Sequence, residues 1–153
     1  MARPGRKQTD PVEPDEANPL NVAINSAARE TMTMVREALG RKDVMLAFQP
    51  VIQSARPDRP AFYEGFIRVL DGAGRVIPAR DFMGTVETTE LGRIIDCLSL
   101  EMGMQALERQ PNLRMAINMS ARSIAYPNWM RTLRRGLKAS PTAGERLILE
   151  ISE

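Results

Sequence analysis

Histidine is absent from this chain of 153 residues, and cysteine occurs only once. Without histidine, the chain lacks the most common general base and the most common zinc ligand of proteins. A single cysteine excludes an internal disulfide and a zinc site made of thiolates. That residue, Cys97, lies in an apolar helical stretch and is expected to be a buried side chain without a chemical role. Any acid–base or metal chemistry must therefore use carboxylates, amides, lysine or this one thiol.

The sequence also lacks a long apolar run and a strong net charge. No stretch approaches the ~18 consecutive apolar residues that a membrane-spanning helix needs. The N-terminus has no apolar segment of the kind found in secretory signals. We therefore expect a cytoplasmic protein with no membrane segment. The formal net charge of +2 does not indicate DNA as a partner, and a hydrophobic share of 43% is typical of a globular protein.

The hydrophobic pattern divides the chain into three parts. Residues 1–18 are polar and rich in proline, and we expect a disordered tail there. Apolar residues recur at helical spacing over the next 20 or so positions, and Gly40 is a suitable end. Residues 19–40 are therefore predicted to form an N-terminal helix, and residues 45–153 the main domain.

Segments typical of strands and of helices alternate through the main domain. Four strands are predicted, at residues 45–52, 61–70, 114–120 and 147–152. Helices are predicted at residues 78–88, 91–108 and 128–138. The glycine-rich segment 71–74 predicts a hairpin turn rather than a phosphate-binding loop, because no helix follows it directly. This alternation favours an α/β fold with largely parallel strands.

Three of the predicted strands contain a polar residue that does not suit a buried strand: Glu64, Asn118 and Glu150. An unpaired carboxylate in such a position is costly. Together, two carboxylates and an amide oxygen form a suitable ligand set for Mg²⁺ or Mn²⁺, which prefer oxygen. Asn118 and Glu150 lie late in their strands, where the functional groups of β/α barrels gather. In the alternative interpretation, all three are solvated residues at the rim of an unrelated α/β domain.

Glu64 and Arg68 are four residues apart on one predicted strand, so their side chains share a face. In one interpretation, Glu64 holds the metal while Arg68 binds a phosphate through two hydrogen bonds. In the other, the two side chains pair with each other. Gln49, inside the first predicted strand, is open to both kinds of interpretation.

Five segments follow the order and spacing of one family's motifs. FQPV at 48–51 is similar to an opening strand, and YEGFIR at 63–68 to a signature Glu-Ala-Leu-Leu-Arg. IPARDFM at 77–83 with VETT at 86–89 is similar to a proline-entered helix and an acidic turn. INMS at 117–120 and LEISE at 149–153 are similar to an Asn-x-Ser strand and to a strand that ends in Glu-x-Thr-Glu. The chain thus resembles the bacterial EAL domain family of cyclic-di-GMP phosphodiesterases over residues 46–153.

This resemblance implies a modified TIM-like β/α barrel with an antiparallel first strand. It also implies hydrolysis of cyclic-di-GMP to the linear dinucleotide with Mg²⁺ or Mn²⁺, in which a metal-activated water attacks the phosphodiester. The matching motifs give the family's roles to six residues of this chain. Metal-ligand positions fall on Glu64, Asn118 and Glu150, substrate-contact positions on Gln49 and Arg68, and support of a downstream catalytic loop on Glu153.

The resemblance covers only the first part of the family's domain. About four of the eight strands of a barrel are expected here. The family's later motifs, among them an Asp-Asp-Phe-Gly loop and a catalytic lysine, are absent from the sequence. We therefore expect a truncated EAL domain that is inactive on its own, with open sheet edges that favour a homo-oligomer or a complementing half-domain. The alternative function is a non-catalytic module that binds cyclic-di-GMP or a protein.

Overall fold

The computed structural model describes residues 18–152. The elements follow in the order α1 (Pro19–Arg41), β1 (Val44–Gln53), β2 (Arg56–Leu70), β3 (Val76–Pro78), α2 (Met83–Val86), α3 (Glu90–Arg109), β4 (Met115–Ser120), α4 (Pro127–Ala139) and β5 (Leu147–Ser152). No helix in this part of the chain is both long enough and apolar enough to cross a membrane. The tail expected at residues 1–18 lies, except for its last residue, outside the described residues.

One open sheet contains all five strands, in the order β1-β2-β4-β5, with β3 beside β2. β1 and β2 are antiparallel, while β2, β4 and β5 run parallel to one another. The predicted α/β fold with an antiparallel first strand is therefore confirmed, and the sheet is an open part of a barrel. The short strand β3 was not predicted, so the sheet has five strands where about four were expected.

α1 begins at a capped N-terminus and ends one residue later than its sequence suggested. The side chain of Asn18 accepts a hydrogen bond from the amide of Leu20 at 3.0 Å, and Pro19 occupies the first helical position. Gly40 was expected to end the helix, but it remains helical. The left-handed residue that closes the helix is Lys42, with φ 61°, and its amide donates to the carbonyls of the last turn.

The single helix predicted at 78–88 is wrong, because this segment is broken. A 3₁₀ turn at Ala79–Asp81 and the one-turn helix α2 are separated by Phe82, whose φ of −136° is not helical. The ring of Phe82 is fully buried in the core. Anchoring this ring therefore fixes the backbone in a shape that local helix preference alone does not predict.

The helices pack on one face of the sheet through two hydrophobic clusters. The first joins α1, β2, α2 and the start of α3, with Val35, Val69 and Phe82 at its centre. The second joins the rest of α3 to β4 and α4, with Leu100, Met115 and Trp129 at its centre. Along β2, the buried residues on the helix side alternate with half-buried residues on the opposite face.

The apolar spacing of α3 predicts a buried stripe of Leu91, Ile94, Ile95, Leu98 and Met102, and the observed stripe differs from it. Leu91 and Ile95 are buried as predicted, but Ile94 is 37% exposed, and the stripe instead includes Asp96 and Ser99. Cys97 is half-buried rather than fully buried. Its pKa is raised to about 11, mainly by desolvation and then by the charge of Asp96, so it is an unreactive thiol at neutral pH.

Candidate functional site

Four polar side chains form a row across the sheet, on the face opposite the helices. We call Gln49, Glu64, Asn118 and Glu150 the polar row. Gln49 on β1 lies directly opposite Glu64 on β2, and Asn118 on β4 lies directly opposite Glu150 on β5. The four residues were predicted from separate stretches of sequence, and the sheet brings them together.

Strand alternation explains why these side chains face away from the helices. Glu64 has the buried residue Gly65 beside it, and Asn118 lies between Ile117 and Met119, both of which pack in the core. Since successive side chains of a strand point to opposite faces, burial of these neighbours turns Glu64 and Asn118 to the other side. Glu64 is half-buried there and Asn118 is exposed.

A hydrogen bond joins the two central members of the polar row. Nδ2 of Asn118 donates to Oε1 of Glu64 at 2.8 Å, across 54 positions of sequence. The amide oxygen of Asn118 stays available as a ligand or acceptor. The carboxylate of Glu64 also acts on Glu150, whose pKa is raised first by desolvation and then by the nearby negative charge.

The donor set of the polar row fits a hard divalent cation. Two carboxylates held close together repel each other, and a cation between them would remove that repulsion. Together with the amide oxygen of Asn118 they supply three oxygen ligands, the type that Mg²⁺ and Mn²⁺ prefer. Residues 18–152 hold no group of three or more His, Cys, Asp or Glu side chains that could bind a metal. A cation here would therefore depend on Asn118 and on water for its remaining ligands.

A cavity of about 410 Å³ lies beside the polar row, where β2 and β4 separate. Pairing of these strands ends at Gly65 and Ile117, because β3 takes over the same edge of β2 further along. Residues of both strands line the gap, and Ile95, Asp96 and Ser99 of α3 line it as well. The volume falls within the range of small-ligand sites, and the walls are mostly apolar.

Arg68 also lines this cavity, and its contacts decide between the two interpretations of its role. Its guanidinium lies 5.9 Å from the centre of the Phe66 ring and donates to the carbonyl of Ile67 at 3.2 Å. None of the ion pairs found within residues 18–152 joins it to Glu64. The pairing of Arg68 with Glu64 is therefore wrong, and the guanidinium lies at the wall of the cavity.

Some residues of the site were not predicted, and one prediction falls outside the structure. Arg80 and Glu87 line the cavity, and Asp96 lies buried beneath it. In the sequence, Asp96 is visible as a carboxylate between two apolar residues of a predicted helix. Asp96 itself was not part of the predicted apolar stripe. Glu153 lies outside the described residues, so its expected role stays a prediction.

Known proteins resemble this chain in both sequence and fold. The sequence profile of the EAL domain matches residues 32–153. The FimX EAL domain of Xanthomonas citri, solved in complex with c-diGMP, is 23% identical with a TM-score of 0.70, over 86% of this chain and 52% of that one. The FimX EAL domain of Pseudomonas aeruginosa, solved bound to c-di-GMP, is 24% identical with a TM-score of 0.65, over 80% of this chain and 50% of that one.

An EAL domain protein of Listeria monocytogenes is 21% identical with a TM-score of 0.65, over 80% of this chain and 49% of that one. At these identities the likeness shows the fold. The chain spans about half the length of these solved proteins. No curated protein matches the sequence.

Proposed function

Because this chain belongs to the EAL domain family, we propose that the polar row and the adjoining cavity bind cyclic-di-GMP together with Mg²⁺ or Mn²⁺. The proposed site is the metal- and phosphate-binding part of an EAL-type phosphodiesterase. The observation that carries the proposal is the contact between Asn118 and Glu64, with Glu150 beside them, in a single row of oxygen ligands.

Each residue has a distinct task in this proposal. Glu64 and Glu150 bring the negative oxygens that hold the cation, and Asn118 fixes the orientation of Glu64 through its hydrogen bond. Arg68 offers a planar guanidinium that can donate two hydrogen bonds to one phosphate. A bound divalent ion would neutralise phosphate charge and lower the pKa of a coordinated water.

The cavity suits the rest of such a ligand. Its walls include Phe66, whose ring supports Arg68, and the apolar side chains of Met83 and Ile95. Apolar walls exclude water and can contact the flat face of a nucleobase, while Gln49 at the rim supplies both a donor and an acceptor.

Calorimetric titration of cyclic-di-GMP into the purified chain tests the proposal. We expect binding with Mn²⁺ present, and an affinity at least tenfold weaker, or about 1.4 kcal/mol, in Glu64→Gln. The matched control is Glu108→Gln, an exposed glutamate at the end of α3, which should bind as the wild type does. Equal affinity with and without Mn²⁺, or in Glu64→Gln, would contradict a metal-dependent site.

Product analysis separates hydrolysis from binding alone. We expect the linear dinucleotide to stay undetected when the chain is incubated with cyclic-di-GMP and Mn²⁺, because the sequence lacks the Asp-Asp-Phe-Gly loop and the catalytic lysine that the family's motifs include. Formation of the dinucleotide that is lost in Glu64→Gln would show a complete catalytic site.

Association with a second copy or with a complementing half-domain stays a prediction. The edge strand β5 carries Leu149 and Ile151, which are 37% and 52% exposed. Covering apolar side chains on a strand with one open edge is favourable. Light scattering coupled to size-exclusion chromatography measures the mass, and a monomer that unfolds in one sharp transition would contradict this prediction.

A further inference from the structure

Asp96 is the one ionisable side chain among the buried residues of the described chain, with 4% of its surface exposed. It lies in α3, on the side that packs against β4. A carboxylate in such a place is costly unless strong hydrogen bonds satisfy it. Burial raises the pKa of Asp96, and the hydrogen bonds that it accepts partly oppose this effect.

Both hydrogen bonds come from the segment that directly follows Asn118. Oδ2 of Asp96 accepts from the backbone amide of Ser120 at 3.0 Å and from the hydroxyl of Ser123 at 2.6 Å. Ser120 ends β4, and Ser123 ends the 3₁₀ turn Ala121–Ser123. The carboxylate thus joins two points of one short segment, 24 and 27 positions away in sequence.

The end of β4 is paired with a neighbouring strand on one side only. Pairing with β2 stops at Ile117, one residue before Asn118, while pairing with β5 continues to Ser120. On the β2 side, the last residues of β4 border the cavity instead of a strand. The Asp96 carboxylate supplies an anchor from the helix layer where a strand partner is missing.

We propose that Asp96 and Ser123 are positioning residues that hold the end of β4 so that the amide of Asn118 stays on Glu64. The effect on ligand affinity rests on the proposed function, whereas the effect on the strand end does not. Ser123 is fully buried and does not line the cavity, so any change it causes reaches the ligand only through the backbone.

The test compares Ser123→Ala with Ser140→Ala, a half-buried serine that follows α4 and does not line the cavity. Hydrogen exchange of the wild type and of both variants is followed by NMR, together with cyclic-di-GMP affinity in Mn²⁺. In Ser123→Ala, we expect the Ser120 amide to exchange at least about tenfold faster and cyclic-di-GMP to bind about fivefold more weakly, as loss of one hydrogen bond predicts. In Ser140→Ala, both quantities should equal those of the wild type.

The exchange measurement keeps this inference separate from the proposed function. If the wild type fails to bind cyclic-di-GMP, the proposed function is wrong, and exchange at Ser120 still decides the role of Ser123. Faster exchange confined to residues 118–124 supports positioning. Exchange at Ser120 that is unchanged in Ser123→Ala, or that rises equally in β2 and α3, overturns the inference. Unchanged affinity in Ser123→Ala also overturns it, provided that the wild type binds.

The Asp96 variants test the carboxylate itself. Because the side chain in Asp96→Asn keeps an acceptor oxygen, the exchange rate of the Ser120 amide should lie between those of the wild type and of Asp96→Ala.

Discussion

Gly92, in the first turn of α3, lies so close to the backbone at Glu87 that a methyl group does not fit between them. A Cβ atom at position 92 would lie 2.6 Å from the carbonyl oxygen of Glu87 and 2.8 Å from its Cα atom. These are backbone atoms, so no side-chain rotation can relieve the contact. The change Gly92→Ala therefore forces α3 and the segment at Glu87 apart.

The expected cost follows from two opposing effects. Forcing an extra methyl group into a packed site costs roughly 1–3 kcal/mol. Alanine is favoured over glycine in a helix by up to about 1 kcal/mol, which offsets part of this. We expect Gly92→Ala to lower the free energy of unfolding by about 1–2 kcal/mol, which corresponds to a fall in Tm of roughly 2–8 °C at this chain length.

Urea denaturation followed by circular dichroism measures this change, and Gly40→Ala is the matched control. Gly40 is also helical, but nothing lies within 4 Å of a Cβ atom built there. We expect the control to gain about 0.5–1 kcal/mol. If Gly92→Ala is as stable as the wild type while Gly40→Ala shows its gain, the contact with Glu87 does not constrain α3 and the reasoning is refuted.

Three further predictions concern single side chains. Lys42→Gly should raise the free energy of unfolding by about 1 kcal/mol, because glycine adopts the left-handed conformation at φ 61° without strain; urea denaturation measures this, and no gain would contradict it. The thiol of Cys97 should react slowly with a disulfide reagent at pH 7.5 and faster up to a pKa of about 11, whereas a rate equal to that of free cysteine would contradict its burial. The Tyr126 hydroxyl, 2.6 Å from Glu90, lowers the pKa of that carboxyl below its usual 4.5, so the stabilisation is present above pH 4.5 and is lost as the pH falls further. Tyr126→Phe should therefore be less stable than the wild type at pH 7, and this difference should shrink as the pH falls below 4.5; a difference that does not change in acid would be inconsistent with this.

The sequence predicted those parts of the fold that depend on local periodicity. Each of the four longer strands contains a mostly apolar run of six residues or more, so its pattern is visible. The turn at 71–74 was also predictable, because Asp71 accepts hydrogen bonds from the amides of Ala73 and Arg75, and Gly74 adopts φ 78°. β3 has only three residues, too few for a periodic pattern, and it exists because β2 offers it an edge.

The residues of the candidate site that lie on strands could be predicted from the sequence, whereas those on α3 could not. A polar residue inside an apolar strand stands out, which is how Glu64, Asn118 and Glu150 were found. On α3, helical periodicity alone does not say which face of the helix packs on the sheet. Asp96 belongs to the buried face because its partners in the segment after β4 satisfy it, and those contacts form only in the folded chain.

The polar row takes its dimensions from the sheet itself, because adjacent strands lie about 4.8 Å apart. Such a site is sensitive to changes of chain length within its strands. Deleting one residue of β4 ahead of Asn118 would turn its amide toward the helices and bring an apolar neighbour into the row. An insertion in the turn at 71–74 would leave all four positions in place. Related chains that keep this chemistry should therefore vary in loop length and hold the lengths of β2, β4 and β5 constant.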